Sequence, residues 1–127
     1  MSDEKNEGTP PVIDISALDE LRLIMEDEFT DVLQMYLDES ITLMTEIHTG
    51  FDDETDSLLL GVQALKSSSY NVGAKRLGFI AEKMEVLIKT KEIESARSYL
   101  DELQEVYAQS HSLIKKLLQK NVQEATM

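Results

Sequence analysis

Cysteine is absent from all 127 residues. That excludes disulfides, thiolate metal sites and a cysteine nucleophile, and it makes a reducing cytoplasm the simplest compartment. Proline is nearly absent: the only two stand side by side at Pro10 and Pro11. The rest of the chain has no helix-breaking imide, and strand-like alternation is missing too. No apolar run approaches the ~18 residues of a membrane span; the densest is Leu58 to Leu60. The acidic, polar start, Met1 to Thr9, lacks the basic beginning and apolar middle of a signal peptide. Basic residues are scarce where acids are dense. Residues 1–57 hold 17 Asp and Glu against two Lys and Arg, whereas residues 58–127 hold 8 against 10. The net charge of −13 repels nucleic acid and anionic membrane, so neither is an expected partner.

What is present reads as helix. One domain is expected, with boundaries at 1–12 for a disordered acidic tail, 13–122 for the folded body and 123–127 for a disordered C-terminus. Ser16-Ala17-Leu18-Asp19 has the form of a capping box and opens a short helix to about Met25. A second helix is predicted from about Glu28 to Thr49. Phe29, Val32, Leu33, Tyr36, Leu37, Leu43, Met44 and Ile47 form its inward stripe, and Gly50 stands as its C-terminal cap. Asp52 or Asp53 then caps a third helix running to about Asn71, Gly73 permits a tight turn, and a fourth helix runs from about Ala74 to Thr90. Its inward residues are Leu77, Ile80, Ala81, Met84, Leu87 and Ile88. The last helix is predicted over about Ile93 to Lys120, with Ala96, Leu100, Leu103, Val106, Leu113, Leu117 and Leu118 inward. Met25, Met35, Met44 and Met84 read as core or edge filler. Long amphipathic helices joined by short loops favour antiparallel neighbours. The expected fold is therefore all-α, an up-down antiparallel four-helix bundle with a short extra N-terminal helix.

The third helix carries the most specific stretch, Val62-Gln63-Ala64-Leu65-Lys66-Ser67-Ser68-Ser69-Tyr70-Asn71-Val72-Gly73-Ala74. It resembles the signature of histidine-containing phosphotransfer (HPt) domains, His-x-Leu-Lys-Gly/Ser-Ser-x-x-x-Leu/Val-Gly-Ala. Leu65, Lys66, Ser68, Val72, Gly73 and Ala74 fall in register, while Gln63 stands at the phospho-acceptor position. The resemblance covers about residues 25–120 and implies the same helical bundle. It also implies a module of a bacterial-type multistep phosphorelay whose partners are receiver domains of response regulators and of hybrid histidine kinases. Such a module carries phosphate rather than acting as an enzyme, uses no cofactor, and is expected here as a monomer.

On a helical wheel, Leu58, Val62, Leu65, Ser69 and Val72 share the core side of this helix, and Gln63 points away from it. Leu59, Lys66, Ser67 and Tyr70 flank Gln63 on the outer side. Lys66, one turn on, is placed to neutralise a phosphoryl oxygen as a point charge, and Ser67 is small enough to admit a partner. Leu59 and Tyr70 read either as packing on a neighbouring helix edge or as an apolar docking rim; Lys75, Arg76 and Lys83 are further candidates for partner docking. Gln63 halts the chemistry, because an amide nitrogen has no free lone pair and does not titrate near neutrality as imidazole does. Two explanations stay open: a natural degenerate site, or substitution of an active histidine. A regulator that binds a receiver or kinase without phosphotransfer is the alternative function.

Other chemistry is missing. There is no glycine-rich phosphate loop, no nucleophile elbow and no Glu-x-x-His pair for a di-iron centre. Asp52-Asp53-Glu54-Thr55-Asp56 lacks the spacing of a calcium loop and reads as a helix start, so no metal site is expected. His48 and His111, the only histidines, lack the Leu-Lys-small context and read as ordinary surface residues.

Overall fold

The computed structural model describes residues 8–53 and 56–126, with side chains described as far as Lys120. The first seven residues of the expected tail, together with Glu54, Thr55 and Met127, lie outside the described residues. The elements are α1 (Ile15–Met25), a 3₁₀ turn (Glu26–Glu28), α2 (Phe29–Asp53), α3 (Ser57–Asn71), α4 (Lys75–Lys89), α5 (Ile93–Arg97) and α6 (Leu100–Thr126). Helices α2, α3, α4 and α6 form the bundle. Helix α3 is flanked by α2 and α4, and α6 closes against those two. Short connections make successive long helices antiparallel.

The N-terminal cap of α1 is Asp14, not Ser16. The Asp14 carboxylate accepts the Ala17 N–H at 3.2 Å, and Ser16 is exposed within the first turn. Asp14 wins the role because two other contacts hold it in place. Its backbone N–H donates to the Gly73 carbonyl at 2.8 Å, and Lys75 Nζ lies 2.7 Å from its second carboxylate oxygen. The chain is also tied down before residue 13. The Pro10 carbonyl accepts from Arg76 Nε and the Pro11 carbonyl from the Arg76 N–H, each at 3.0 Å. At the other end, α6 continues to Thr126, past the expected boundary at 122.

In α2 the expected stripe is inward: Phe29, Leu33, Tyr36, Leu37, Leu43, Met44 and Ile47 are buried and Val32 is half-buried. The helix does not stop at Gly50. It runs to Asp53 and buries Gly50 and Phe51. A Cβ on Gly50 would lie 2.8 Å from the Leu58 Cα, so this glycine serves a close helix crossing rather than a cap. Asp52 and Asp53 therefore end α2 instead of starting α3, and Asp56 takes the N-cap position of α3 with no side-chain cap bond. Carboxylates at a helix C-terminus oppose the dipole. Arg97 offsets this: its Nη2 donates to the Phe51 carbonyl at 3.0 Å, and its Nη1 lies 3.9 Å from Asp52.

Leu58, Val62, Leu65, Ser69 and Val72 are all buried, as the wheel requires. Ser69 is accommodated there because its hydroxyl and that of Tyr36 share a 2.8 Å hydrogen bond. Gly73 makes the α3–α4 turn with φ at 82°, a conformation costly for a side-chain-bearing residue. From α4, Leu77, Ile80, Ala81 and Met84 complete the aliphatic core while Leu87 and Ile88 are half-buried. Each fully buried leucine or isoleucine contributes about 1.5–3 kcal/mol. The expected last helix is divided at Ser98–Tyr99. The Ser98 hydroxyl turns back to the Ser95 carbonyl at 2.6 Å, a local bond that competes with helix continuation. Within α6, Ile114 is in the core and Leu113 is exposed, reversing the expected assignment. Met44 and Met84 fill the core, but Met35 is exposed.

Candidate functional site

Gln63 and Lys66 lie one turn apart on α3, and Glu85 projects from α4 to meet both. Gln63 Nε2 donates to Glu85 Oε2 at 2.9 Å, and Lys66 Nζ donates to Glu85 Oε1 at 2.6 Å. Lys89, one turn after Glu85 on the same helix, lies 3.2 Å from Oε2. Glu85 is only 6 % exposed. A carboxylate so covered must be paired, and both of its oxygens are. The Lys66 ammonium holds it down to a pKa of about 2, overcoming the opposing effect of burial, and donation from Gln63 and Lys89 adds to this. The same contact raises the Lys66 pKa. Only the NH₂ end of Gln63 can donate to a carboxylate, so its amide nitrogen is committed inward.

The surroundings of this cluster are mixed. Ser67 is exposed, and Gln63, Lys66 and Ala64 are half-buried. Leu60 is 66 % exposed one turn before Gln63, and Val86, next to Glu85, is 57 % exposed. Leu59 is half-buried and lines a recess with Asp56, Leu58, Ile88, Lys89, Lys91 and Ile93. Tyr70 lies across Gly78, where a Cβ would sit 3.0 Å from its ring, and its hydroxyl donates to Glu82 at 3.1 Å. Of the two readings for Leu59 and Tyr70, packing on the neighbouring helix describes Tyr70 well. The exposed large apolar residues nearest this cluster in sequence are Leu60 and Val86 instead.

The structure does not gather the other expected cations around Gln63. Lys75 pairs with Asp14, and Arg76 holds Pro10 and Pro11, so both fasten the N-terminal segment. Lys83 lies over the Phe79 ring, 4.6 Å from its centroid, and 6.0 Å from that of Tyr99. It is two positions from Glu85, and residues so spaced do not share a helix face. His48 is exposed, with Nε2 3.4 Å from Gln104 Oε1. His111 is not a plain surface residue: it is half-buried, with Nε2 3.2 Å from the Leu37 carbonyl and its ring 5.0 Å from that of Tyr107. Glu85 and Lys89 belong to the cluster with Gln63 and Lys66, and sequence reasoning missed both. The Glu85–Lys89 spacing of four was a legible helical ion-pair pattern, but nothing in it named Gln63 as the cross-helix partner.

Among the described residues, no group of three His, Cys, Asp or Glu side chains is placed to hold a metal ion. Nor is any described helix long and apolar enough to cross a membrane.

The family model described as Hpt domain matches residues 31–113. Comparison with curated proteins finds no match. Among solved structures, histidine-containing phosphotransfer protein B from Pseudomonas aeruginosa PAO1 superposes with a TM-score of 0.83 at 22 % identity, covering 87 % of this chain and 96 % of that one. A rice protein assigned as a histidine-containing phosphotransfer protein superposes with a TM-score of 0.72 at 20 % identity, covering 88 % of this chain and 85 % of that one. The two structures establish a shared helical-bundle fold, and the family model spans the signature in α3 and the Glu85 side of α4. The chain belongs to the Hpt domain family, the phosphocarrier modules of phosphorelays.

Proposed function

We propose that this chain docks receiver domains of response regulators and hybrid histidine kinases through the face centred on Gln63, and that it takes no phosphoryl group there. The observation that carries the reading is the Gln63–Glu85–Lys66 cluster, whose Gln63 and Lys66 are half-buried and whose sequence neighbours Leu60 and Val86 are exposed. An aspartyl phosphate transfers its phosphoryl group by breaking the bond to the carboxylate oxygen while a bond forms from phosphorus to an entering lone pair. Histidine supplies that pair from a ring nitrogen. The Gln63 nitrogen has its pair delocalised into the amide, and both of its hydrogens are donors. The amide nitrogen is also engaged by Glu85.

Docking needs less than transfer. Lys66 and Lys89 both pair with Glu85, and the Lys89 side chain is largely exposed, which leaves an ammonium open to an acidic partner pocket. Leu60 and Val86 offer apolar area at its edge, and Ser67 allows close approach. The inward amide favours a second use of the same contact: sequestering a receiver, or regulating a kinase, without phosphate passing.

The test uses a purified receiver domain phosphorylated with a labelled small-molecule donor. The expected result is a measurable complex by calorimetry, weakened by Lys66→Ala and by Leu60→Ser, with no label recovered on the wild-type chain. Gln63→His should acquire label. Label on the wild-type chain, or binding indifferent to both substitutions, would overturn the proposal.

A further inference from the structure

A second surface lies at the C-terminal end of α1. Leu23 and Ile24 are 76 % and 75 % exposed, more than any other large apolar residue of the described chain. Single exposed apolar side chains are ordinary, but an adjacent pair this open is not. Ile15, two turns before Leu23 on the same side of α1, is also exposed. Carboxylates surround the pair. Asp19 and Glu20 lie one turn before Leu23 and Ile24, and Glu26, Asp27 and Glu28 follow directly in the 3₁₀ turn. All five are exposed. Arg22, the cation within this stretch, is placed over the Phe29 ring at 5.1 Å. Glu26 ends α1 with φ 49°, a left-handed value unusual for a residue with a side chain. That turn keeps the acids of the 3₁₀ segment next to the apolar pair.

We propose that this face binds a basic amphipathic helix from a separate protein, with apolar side chains on Leu23 and Ile24 and lysines or arginines against the five carboxylates. Charge complementarity selects the occupant. An acidic partner pocket, such as the one proposed for the Gln63 face, would be repelled here. A second copy is disfavoured as well, because each copy carries a net charge of −13 and like-charged molecules resist association. An apolar pair within a ring of one sign is the complement of a helix with a leucine stripe and lysine flanks. This inference does not rest on receiver docking, which uses a different helix pair.

The experiment titrates the full chain into a fluorescent peptide with leucine on one helical face and lysine on the other. A peptide of equal charge with serine in place of leucine is the control. Binding should weaken with salt, as expected for exposed charges. It should fall about tenfold or more for Leu23→Ser with Ile24→Ser, and severalfold for Glu20→Gln with Glu26→Gln. Leu60→Ser, at the Gln63 face, should leave it unchanged. All these positions are exposed, and circular dichroism of each variant checks the fold. Equal binding of the serine peptide, no loss in the Leu23/Ile24 variant, or loss with Leu60→Ser would overturn the proposal. So would a concentration-dependent dimer, seen by sedimentation, that disappears in the Leu23/Ile24 variant, since the face would then belong to a second copy.

Discussion

Replacing Glu85 with glutamine removes one charge from the centre of the cluster and almost no volume. In the wild type, Glu85 is nearly covered, accepts from Gln63, and pairs with Lys66 at 2.6 Å and Lys89 at 3.2 Å. Its pKa falls from 4.5 to about 2 on folding. At about 1.4 kcal/mol per decade, this depression sets a ceiling of about 3 kcal/mol at neutral pH. Solvent reaches both lysines and screens part of the interaction, so the expected loss on Glu85→Gln is about 1–3 kcal/mol. The folded-state pKa is depressed, so the contribution is fully present above the unfolded value of about 4.5. It is lost as the pH falls toward about 2, and more than half is gone by about pH 3. Urea unfolding of wild type and Glu85→Gln at pH 7 and pH 3 measures this, and taking the difference between the two proteins cancels the other carboxylates. A stability difference that is the same at both pH values, or below about 0.5 kcal/mol at pH 7, would refute the reasoning. Glutamine at 85 would then be pairing with Gln63 and the lysines as well as a carboxylate does.

Three further outcomes follow from the packing. Gly50→Ala places a Cβ 2.8 Å from the Leu58 backbone, so it should destabilise by about 1–3 kcal/mol despite the better helix propensity of alanine; Gly61→Ala, whose nearest neighbour is the Ile47 side chain at 3.2 Å, should cost less in the same denaturation assay. Tyr36→Phe leaves the buried Ser69 hydroxyl without its 2.8 Å partner and should cost about 1–2 kcal/mol. Because burial raises the Tyr36 pKa from 10 to about 12, wild type should lose stability as pH climbs from 10 to 12, and the phenylalanine variant should lose less over that range. Asp14→Ala removes both the cap on Ala17 and the Lys75 pair, so amide hydrogen exchange should accelerate in the first turn of α1 and remain unchanged in α3.

The number and order of the long helices and the core stripes of α2, α3 and α4 were legible in the sequence. They depend on apolar spacing at three and four residues, which a helix converts directly into faces. The Leu-Lys-small-Ser pattern before Gly73 also identified the family, because a motif is a local property. Tertiary structure decided where glycine and acid serve an approach rather than an ending. Gly50 read as a cap, but close contact with Leu58 carries α2 through it. It also decided the uses of charge. Lys75 and Arg76 looked free for a partner and instead fasten the N-terminal segment, whereas Glu85, 22 residues from Gln63, joins the site. Helical periodicity states which way a side chain points along its own helix. Which neighbour it meets depends on the crossing of two helices, and only the folded bundle determines that.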